Sequence, residues 1–107
     1  PDTTTFLPEA LHEKPVYPGG SAAMIRYIDQ NVRYSNPELT QATVLVEFVI
    51  DTIGSPVEVR SLREGPATAL DLEAIRVMTN MSQWNPGRLN GRKVRTKLVL
   101  PVHFNPR

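Results

Sequence analysis

One stretch near the C-terminus decides the fold of this chain: Lys93-Val94-Arg95-Thr96-Lys97-Leu98-Val99-Leu100-Pro101-Val102-His103-Phe104. Its even-numbered residues are almost all apolar, and this alternation with a period of two predicts a half-buried β-strand. Pro101 has no amide hydrogen to give, so it predicts an edge strand whose backbone faces solvent at that position. Residues of the same parity should turn their backbone groups to the open edge: Arg95, Lys97 and Val99. The residues between and after them should pair inward: Thr96, Leu98 and Leu100.

The pattern also predicts a hairpin in the middle of the chain. Segment 43–51 is apolar on both sides, with Phe48 in its main apolar series, and this is typical of a central strand. Gly54 supplies the positive φ of the turn that follows. Segment 57–62 then returns as the second strand. Its alternation predicts two inward side chains: Val57 and Val59.

Two helices are predicted, one before and one after this hairpin in the sequence. Segment 22–34 follows Gly19-Gly20, which permit a sharp change of direction. Its helical spacing places three apolar residues on one face: Ile25, Ile28 and Val32. Thr68 and Asp71 match a capping box at the start of the second helix. The apolar stripe of that helix is predicted to be Leu70, Ala74, Val77 and Met81.

The order of elements is therefore helix, strand, strand, helix, strand. If the last strand pairs with segment 43–51, the sheet order is 57–62, 43–51, 93–104. We expect an α+β two-layer sandwich, with a three-stranded antiparallel sheet covered on one face by two helices. Trp84 is the only tryptophan and is predicted to anchor the loop before the last strand. Residues 1–15 are expected to be an extended lead-in or linker remnant, and 16–107 the folded domain.

Composition excludes several classes of function. The 107 residues carry a net charge of +1, which gives no strong field for nucleic acid or anionic membranes. There is no cysteine, and His12 and His103 are far apart, so we expect no cofactor, no metal and no catalysis. The basic side chains of the last strand are interpreted as protection of an exposed edge against aggregation. The chain begins on Pro1 without a methionine, which indicates a fragment of a longer protein.

Several short motifs, in the right order, resemble the TonB C-terminal domain family of the Bacteroidetes type. They cover about residues 15–105: Tyr17-Pro18-Gly19-Gly20, Asn31-Val32-Arg33-Tyr34, Val44-Leu45-Val46-Glu47-Phe48-Val49-Ile50-Asp51 with Gly54, Leu70-Asp71-Leu72-Glu73-Ala74, Trp84-Asn85-Pro86-Gly87, Asn90-Gly91 and Pro101-Val102-His103-Phe104. Ser35 and Ser82 stand where the family commonly has prolines. The motifs also mark residues expected to be structural: Gly19, Gly20, Phe48, Gly54, Asp71, Trp84, Pro86, Gly87, Gly91 and Pro101.

The resemblance implies a function. TonB proteins are anchored in the inner membrane of Gram-negative bacteria, and with ExbB and ExbD they energise TonB-dependent outer-membrane transporters. Their periplasmic C-terminal domain binds the TonB box of the transporter, which adds to the sheet as a strand. The residues implied to contact this strand are Arg95, Thr96, Lys97, Leu98, Val99, Leu100, Val16, Tyr17 and Pro18. Some relatives contact the peptide through a glutamine where this chain has Val16, so that contact is not carried over.

Two other classes of function stay open at this point. One is a structural tether similar to TolA-type envelope domains. The other is a sensory or regulatory module of a larger envelope protein, such as a membrane peptidase-type sensor. ExbB and ExbD would be reached only through a segment before Pro1, and whether the isolated domain forms a homodimer also stays open.

Overall fold

The computed structural model describes residues 4–33 and 41–104. The strands are β1 (Thr5–Phe6), β2 (Ala42–Ile50), β3 (Pro56–Ser61), β4 (Gly87–Leu89) and β5 (Arg92–Phe104), and the helices are α1 (Gly20–Asn31) and α2 (Ala69–Thr79). A short 3-10 helix, Pro8–Ala10, lies between β1 and α1. Of the predicted motifs, Ser35 and the end of the first predicted helix at Tyr34 lie outside the described residues.

Strand β2 is the centre of the sheet, as its two-sided apolar pattern predicts. The strand order is β1-β5-β2-β3, and both neighbours of β2 run antiparallel to it. The predicted order of the three long strands is therefore confirmed. The prediction of a three-stranded antiparallel sheet is wrong, because β1 adds in parallel to β5 and β4 pairs antiparallel with its first residues. The fold is an α+β domain with a mixed sheet.

The core lies between one face of the sheet and the two helices. Phe48 of β2 is fully buried, and its ring centroid is 5.9 Å from that of Trp84. Tyr17 packs edge-on against the same indole at 5.5 Å. The helices contribute Ile28 and Met78 to this cluster, so both cover the same face of the sheet. The predicted inward series of the last strand is confirmed, because its even-numbered residues from Thr96 to Phe104 are all buried or half-buried.

Helix α1 is rotated relative to the prediction. Its side chain Ile28 is buried, but Ile25 is 54% exposed, so the expected position of Ile25 is wrong. The cause is Tyr27, whose hydroxyl donates a hydrogen bond to the carbonyl of Val77 in α2 over 2.9 Å. This bond turns the Tyr27 side of the helix toward α2, and Ile25 then faces solvent. The helix begins after Gly19, which has a φ of 87° and would bring any side chain against Ala23.

The start of α2 is held by Asp71. The predicted capping box is confirmed: Thr68 Oγ1 accepts from the Asp71 amide, and an Asp71 carboxylate oxygen accepts from the Thr68 amide. The same carboxylate accepts hydrogen bonds from Ser61 at the end of β3 and from Arg63. These donors, the Thr68 amide first, hold the pKa of Asp71 well below its ordinary value. One buried carboxylate thus joins the end of β3 to the first turn of α2.

Strand β3 carries a β-bulge at Glu58. Glu47 pairs with Arg60 and Val49 with Val57, so β3 has one more residue than β2 between these two pairs. Glu58 adopts a φ of 52°, the left-handed conformation expected of a bulge residue. The bulge reverses the alternation, and Val57 shares the face of Val49 on the side of the sheet away from the helices. The prediction that Val57 faces inward is therefore wrong, whereas Val59 packs against the core.

The turn between β2 and β3 is fixed to the loop before β4. The Trp84 amide donates to the Gly54 carbonyl over 2.8 Å. Gly54 is buried with a φ of 91°, and a Cβ at this position would overlap the Trp84 carbonyl. Only glycine permits both the turn and this close backbone approach. The predicted loop anchor is confirmed, and its partner is the turn glycine.

Candidate functional site

The side of β5 that faces away from β2 is the candidate site, and one hydrogen bond establishes which residues face it. The Leu62 amide donates to the Leu45 carbonyl over 2.9 Å, so the backbone groups of Leu45 point to β3. Leu45 is directly opposite Pro101. In antiparallel strands, both backbone groups of a residue point to the same side. Pro101 and the other odd-numbered residues of β5 therefore turn their backbone groups away from β2, as the proline predicts.

The first part of this edge is covered by the N-terminal residues. Thr5 of β1 is in register with Arg95 and Phe6 with Thr96. Arg95 Nε also donates to Thr5 Oγ1 over 3.2 Å. The expectation of an open edge from Arg95 onward is thus wrong, because the threonine-rich lead-in supplies a strand of its own. The division at residue 15 stays a prediction, although the lead-in residues from Thr4 onward lie against the sheet.

The beginning of β5 is part of a second, short hairpin. Leu89 pairs with Arg92, and the two residues between them, Asn90 and Gly91, have φ values of 51° and 79°. This is the geometry of a type I′ turn, for which Asn-Gly is the preferred sequence. At the other end of β4, a Cβ on Gly87 would lie 2.6 Å from Thr96 Oγ1. Pro86 and Gly87 thereby bring the loop from Trp84 close to the sheet.

The second part of the edge is open. No strand among the described residues pairs with β5 beyond Thr96 on this side. Val99 and His103 each present an amide and a carbonyl here, and Pro101 presents a carbonyl. Val99 is 46% exposed, whereas Leu98 and Leu100 pack against the core. The open segment is therefore the outward backbone of residues 99–103.

Two basic side chains on the outer face of β5, Arg95 and Lys97, have acidic partners. Arg95 forms an ion pair with Glu58, the bulge residue of β3. Lys97 Nζ lies 4.0 Å from Glu47 Oε1, and the same carboxylate oxygen also accepts from Arg60. This partial neutralisation agrees with a protective role on an exposed strand. The described residues also contain no group of three or more side chains suited to hold a metal ion.

The three candidate residues that precede Gly19 lie away from the open segment: Val16, Tyr17 and Pro18. Val16 exchanges backbone hydrogen bonds of 3.0 and 2.9 Å with Asn85, in the loop before β4. Tyr17 is buried in the core, and Pro18 is exposed. The structure thus groups Val16 with the β4 side of the domain and does not bring it to the open segment. Its side chain, 49% exposed, is the only one of the three that combines exposure with a fixed backbone.

Sequence reasoning missed β1 and β4, and each had a signal. Asn90-Gly91 between two short runs is the strongest local indication of a hairpin, but the prediction above treats the residues before the last strand only as a loop. Thr4, Thr5 and Phe6 have high β-propensity, but two paired residues are too few to give an alternating pattern. For β1 the pairing partner, the start of β5, is distant in sequence and could be recognised only in three dimensions.

Fold and site together define a class: an α+β domain in which, among the described residues, the outer side of β5 is left partly unpaired. Residues 38–106 match the family model described as Gram-negative bacterial TonB protein C-terminal, which is well over half of the chain. The chain belongs to this family. No curated protein and no solved structure matches it. Among the described residues, neither helix is long and apolar enough to cross a bilayer.

Proposed function

We propose that this domain binds the TonB box of an outer-membrane transporter as an added β-strand, on the open side of β5. In this proposal it is the periplasmic end of an inner-membrane-anchored energy transducer. ExbB and ExbD would act through a segment before Pro1, and the domain itself would catalyse no reaction. The supporting observation is the outward backbone of Val99, Pro101 and His103, beyond the last residue that β1 covers.

The expected affinity is low. The open segment offers about five backbone hydrogen bonds, and each contributes only ~0.5–1.5 kcal/mol net. Ordering the peptide and losing its translational freedom offset much of this gain. A short TonB-box peptide should therefore bind with a Kd around micromolar or weaker. Nanomolar binding would mean that a side-chain pocket contributes and that edge pairing is not the main interaction.

Two proline variants of adjacent residues test the site. Val99→Pro removes an amide that faces outward, so the fold should remain and peptide binding should be lost. Leu98→Pro removes an amide that faces β2, together with a side chain of the core, so it should destabilise the fold. Thermal melts by circular dichroism and titrations with a labelled TonB-box peptide measure both effects. Unchanged binding by Val99→Pro would refute the proposed edge.

A sensory or tethering role predicts a different result in the same assay. Such a domain would keep its fold and its exposed edge but would bind no TonB box. A plug-domain fragment of a TonB-dependent transporter, used in a pull-down beside the peptide, separates these classes. Capture that is lost in Val99→Pro supports the transducer, and absence of capture by the unmodified domain contradicts it.

A further inference from the structure

Residues 4–10, here called the strap, cover part of the edge to which a visiting strand would add. The strap contains β1, whose Thr5 and Phe6 are in register with Arg95 and Thr96. Arg95 is also the first of the outward-facing residues of β5 with which a visiting strand was expected to pair. A strand that uses the full outward edge, from Arg95 to His103, therefore meets β1 in its place.

The strap is held much more weakly than the residues that follow it. Its ladder with β5 is only two residues long, and Arg95 Nε donates a hydrogen bond to Thr5 Oγ1. Leu7 is 54% exposed. By contrast, Leu11 is buried, and Glu13 and Val16 form bridges to the loop and strand around β4. The segment can thus open at its tip while its base stays attached near Leu11.

The charge on the outer face of the sheet does not depend on the strap. Arg95 keeps its ion pair with Glu58 whether or not Thr5 accepts its second hydrogen bond. Displacement of β1 therefore leaves no unpaired charge behind. The backbone groups released on β5 are those that a visiting strand would satisfy in turn.

We propose that the strap is an intramolecular competitor of the partner strand: β1 occupies the Arg95–Thr96 part of the edge in the free domain, and a partner strand that extends to Arg95 displaces it. This inference rests on the proposed function of the same edge. If the edge is open in roughly one molecule in ten, the apparent affinity is reduced about tenfold. Partner binding would then also release residues 4–10 from the sheet. Binding at β5 would thereby change the conformation of the N-terminal segment.

A disulfide lock tests the competition directly. The natural chain has no cysteine, so Thr5→Cys with Arg95→Cys creates one cross-strand pair, at neighbouring positions whose separation suits a disulfide. The oxidised double variant should bind a fluorescein-labelled TonB-box peptide at least about tenfold more weakly than its reduced form. The single variant Arg95→Cys, which cannot form the lock, should show no difference between oxidising and reducing buffer. Equal binding by the locked and reduced forms would overturn the inference.

The opposite change weakens the strap. Thr5→Gly with Phe6→Gly lowers strand propensity and removes the hydroxyl that accepts from Arg95, so peptide binding should tighten by up to about tenfold. Leu7→Gly is the matched control, because Leu7 is exposed and lies outside β1. Unchanged affinity in the double-glycine variant, with an unchanged melt, would contradict competition while leaving the proposed function intact.

Amide hydrogen exchange of the full chain gives a readout without any peptide. The amide of Phe6, which faces β5, should exchange far faster than those of β2, such as Val46, because the strap opens locally. Exchange of the strap as slow as that of β2 would overturn the inference independently of peptide binding. If no form of the protein binds a TonB-box peptide, the proposed function fails, and the competitive role of the strap fails with it.

Discussion

The contact between Gly54 and Trp84 provides the sharpest test of the fold, because the chain contains a matched control. Gly54 and Gly65 both have a φ of 91°. A Cβ at Gly54 would overlap the Trp84 carbonyl, whereas nothing lies within 4 Å of one at Gly65. Gly54→Ala and Gly65→Ala therefore impose the same backbone strain but differ in the space around the new methyl group.

The expected costs can be worked out for each variant. A left-handed conformation costs a non-glycine residue about 1–2 kcal/mol, and the stiffer unfolded chain returns ~0.4–1 kcal/mol. Gly65→Ala should thus lower the free energy of unfolding by only ~1 kcal/mol. Gly54→Ala must also move the Trp84 backbone and break its 2.8 Å hydrogen bond. An unsatisfied buried group adds roughly 1–3 kcal/mol.

Urea unfolding followed by Trp84 fluorescence measures both variants, since this is the only tryptophan and it is buried. The free energies of unfolding of the two variants should differ by roughly 1–3 kcal/mol, which corresponds to roughly 4–24 °C in melting temperature at about 4–8 °C per kcal/mol for a domain near this size. Equal destabilisation of both variants would refute the reasoning. It would mean that the turn and the Trp84 loop move independently and that Gly54 is required only for its own φ.

Two further predictions concern the core and the capping network. Phe48→Ala should lower the free energy of unfolding by roughly 3–5 kcal/mol in chemical denaturation, because the ring is fully buried; a loss well under 1 kcal/mol would mean that the assigned face of β2 is wrong. The lowered pKa of Asp71 means that its carboxylate stabilises the folded state at neutral pH, and this contribution should be lost as the pH falls below the ordinary range of an aspartic acid. Asp71→Asn should therefore be less stable than the natural chain at pH 7 and show a shallower loss of stability on acidification, and parallel slopes in the two proteins would contradict this role.

The long strands were predictable because each carries enough residues to show its period. The alternation around Phe48 and the proline at position 101 together fixed the central strand, the edge strand and the outward parity. The orientation of Val57 was not predictable, because it depends on the positive φ of Glu58, and a glutamate rarely adopts a positive φ. The position of Ile25 depends on a hydrogen bond of Tyr27 across to the other helix.

In the candidate site, too, local sequence pattern predicted some features, and others depend on contacts between distant residues. The sequence identified the strand and the residues that face outward, since both follow from local pattern and from the chemistry of proline. It did not identify which part of the edge is already occupied. That depends on a parallel pairing between Phe6 and Thr96, which are 90 residues apart in the chain, and two-residue strands leave no periodic signal.

The bulge at Glu58 has a consequence for how many partners the domain can hold. A regular sheet has two edges, and a domain open at both could join its neighbours in an endless row. Here the far edge, β3, begins with Pro56 and is distorted at Glu58, so it is a poor template for another strand. The binding of extended chains that we propose would therefore be confined to the β5 edge, with one partner strand for each domain.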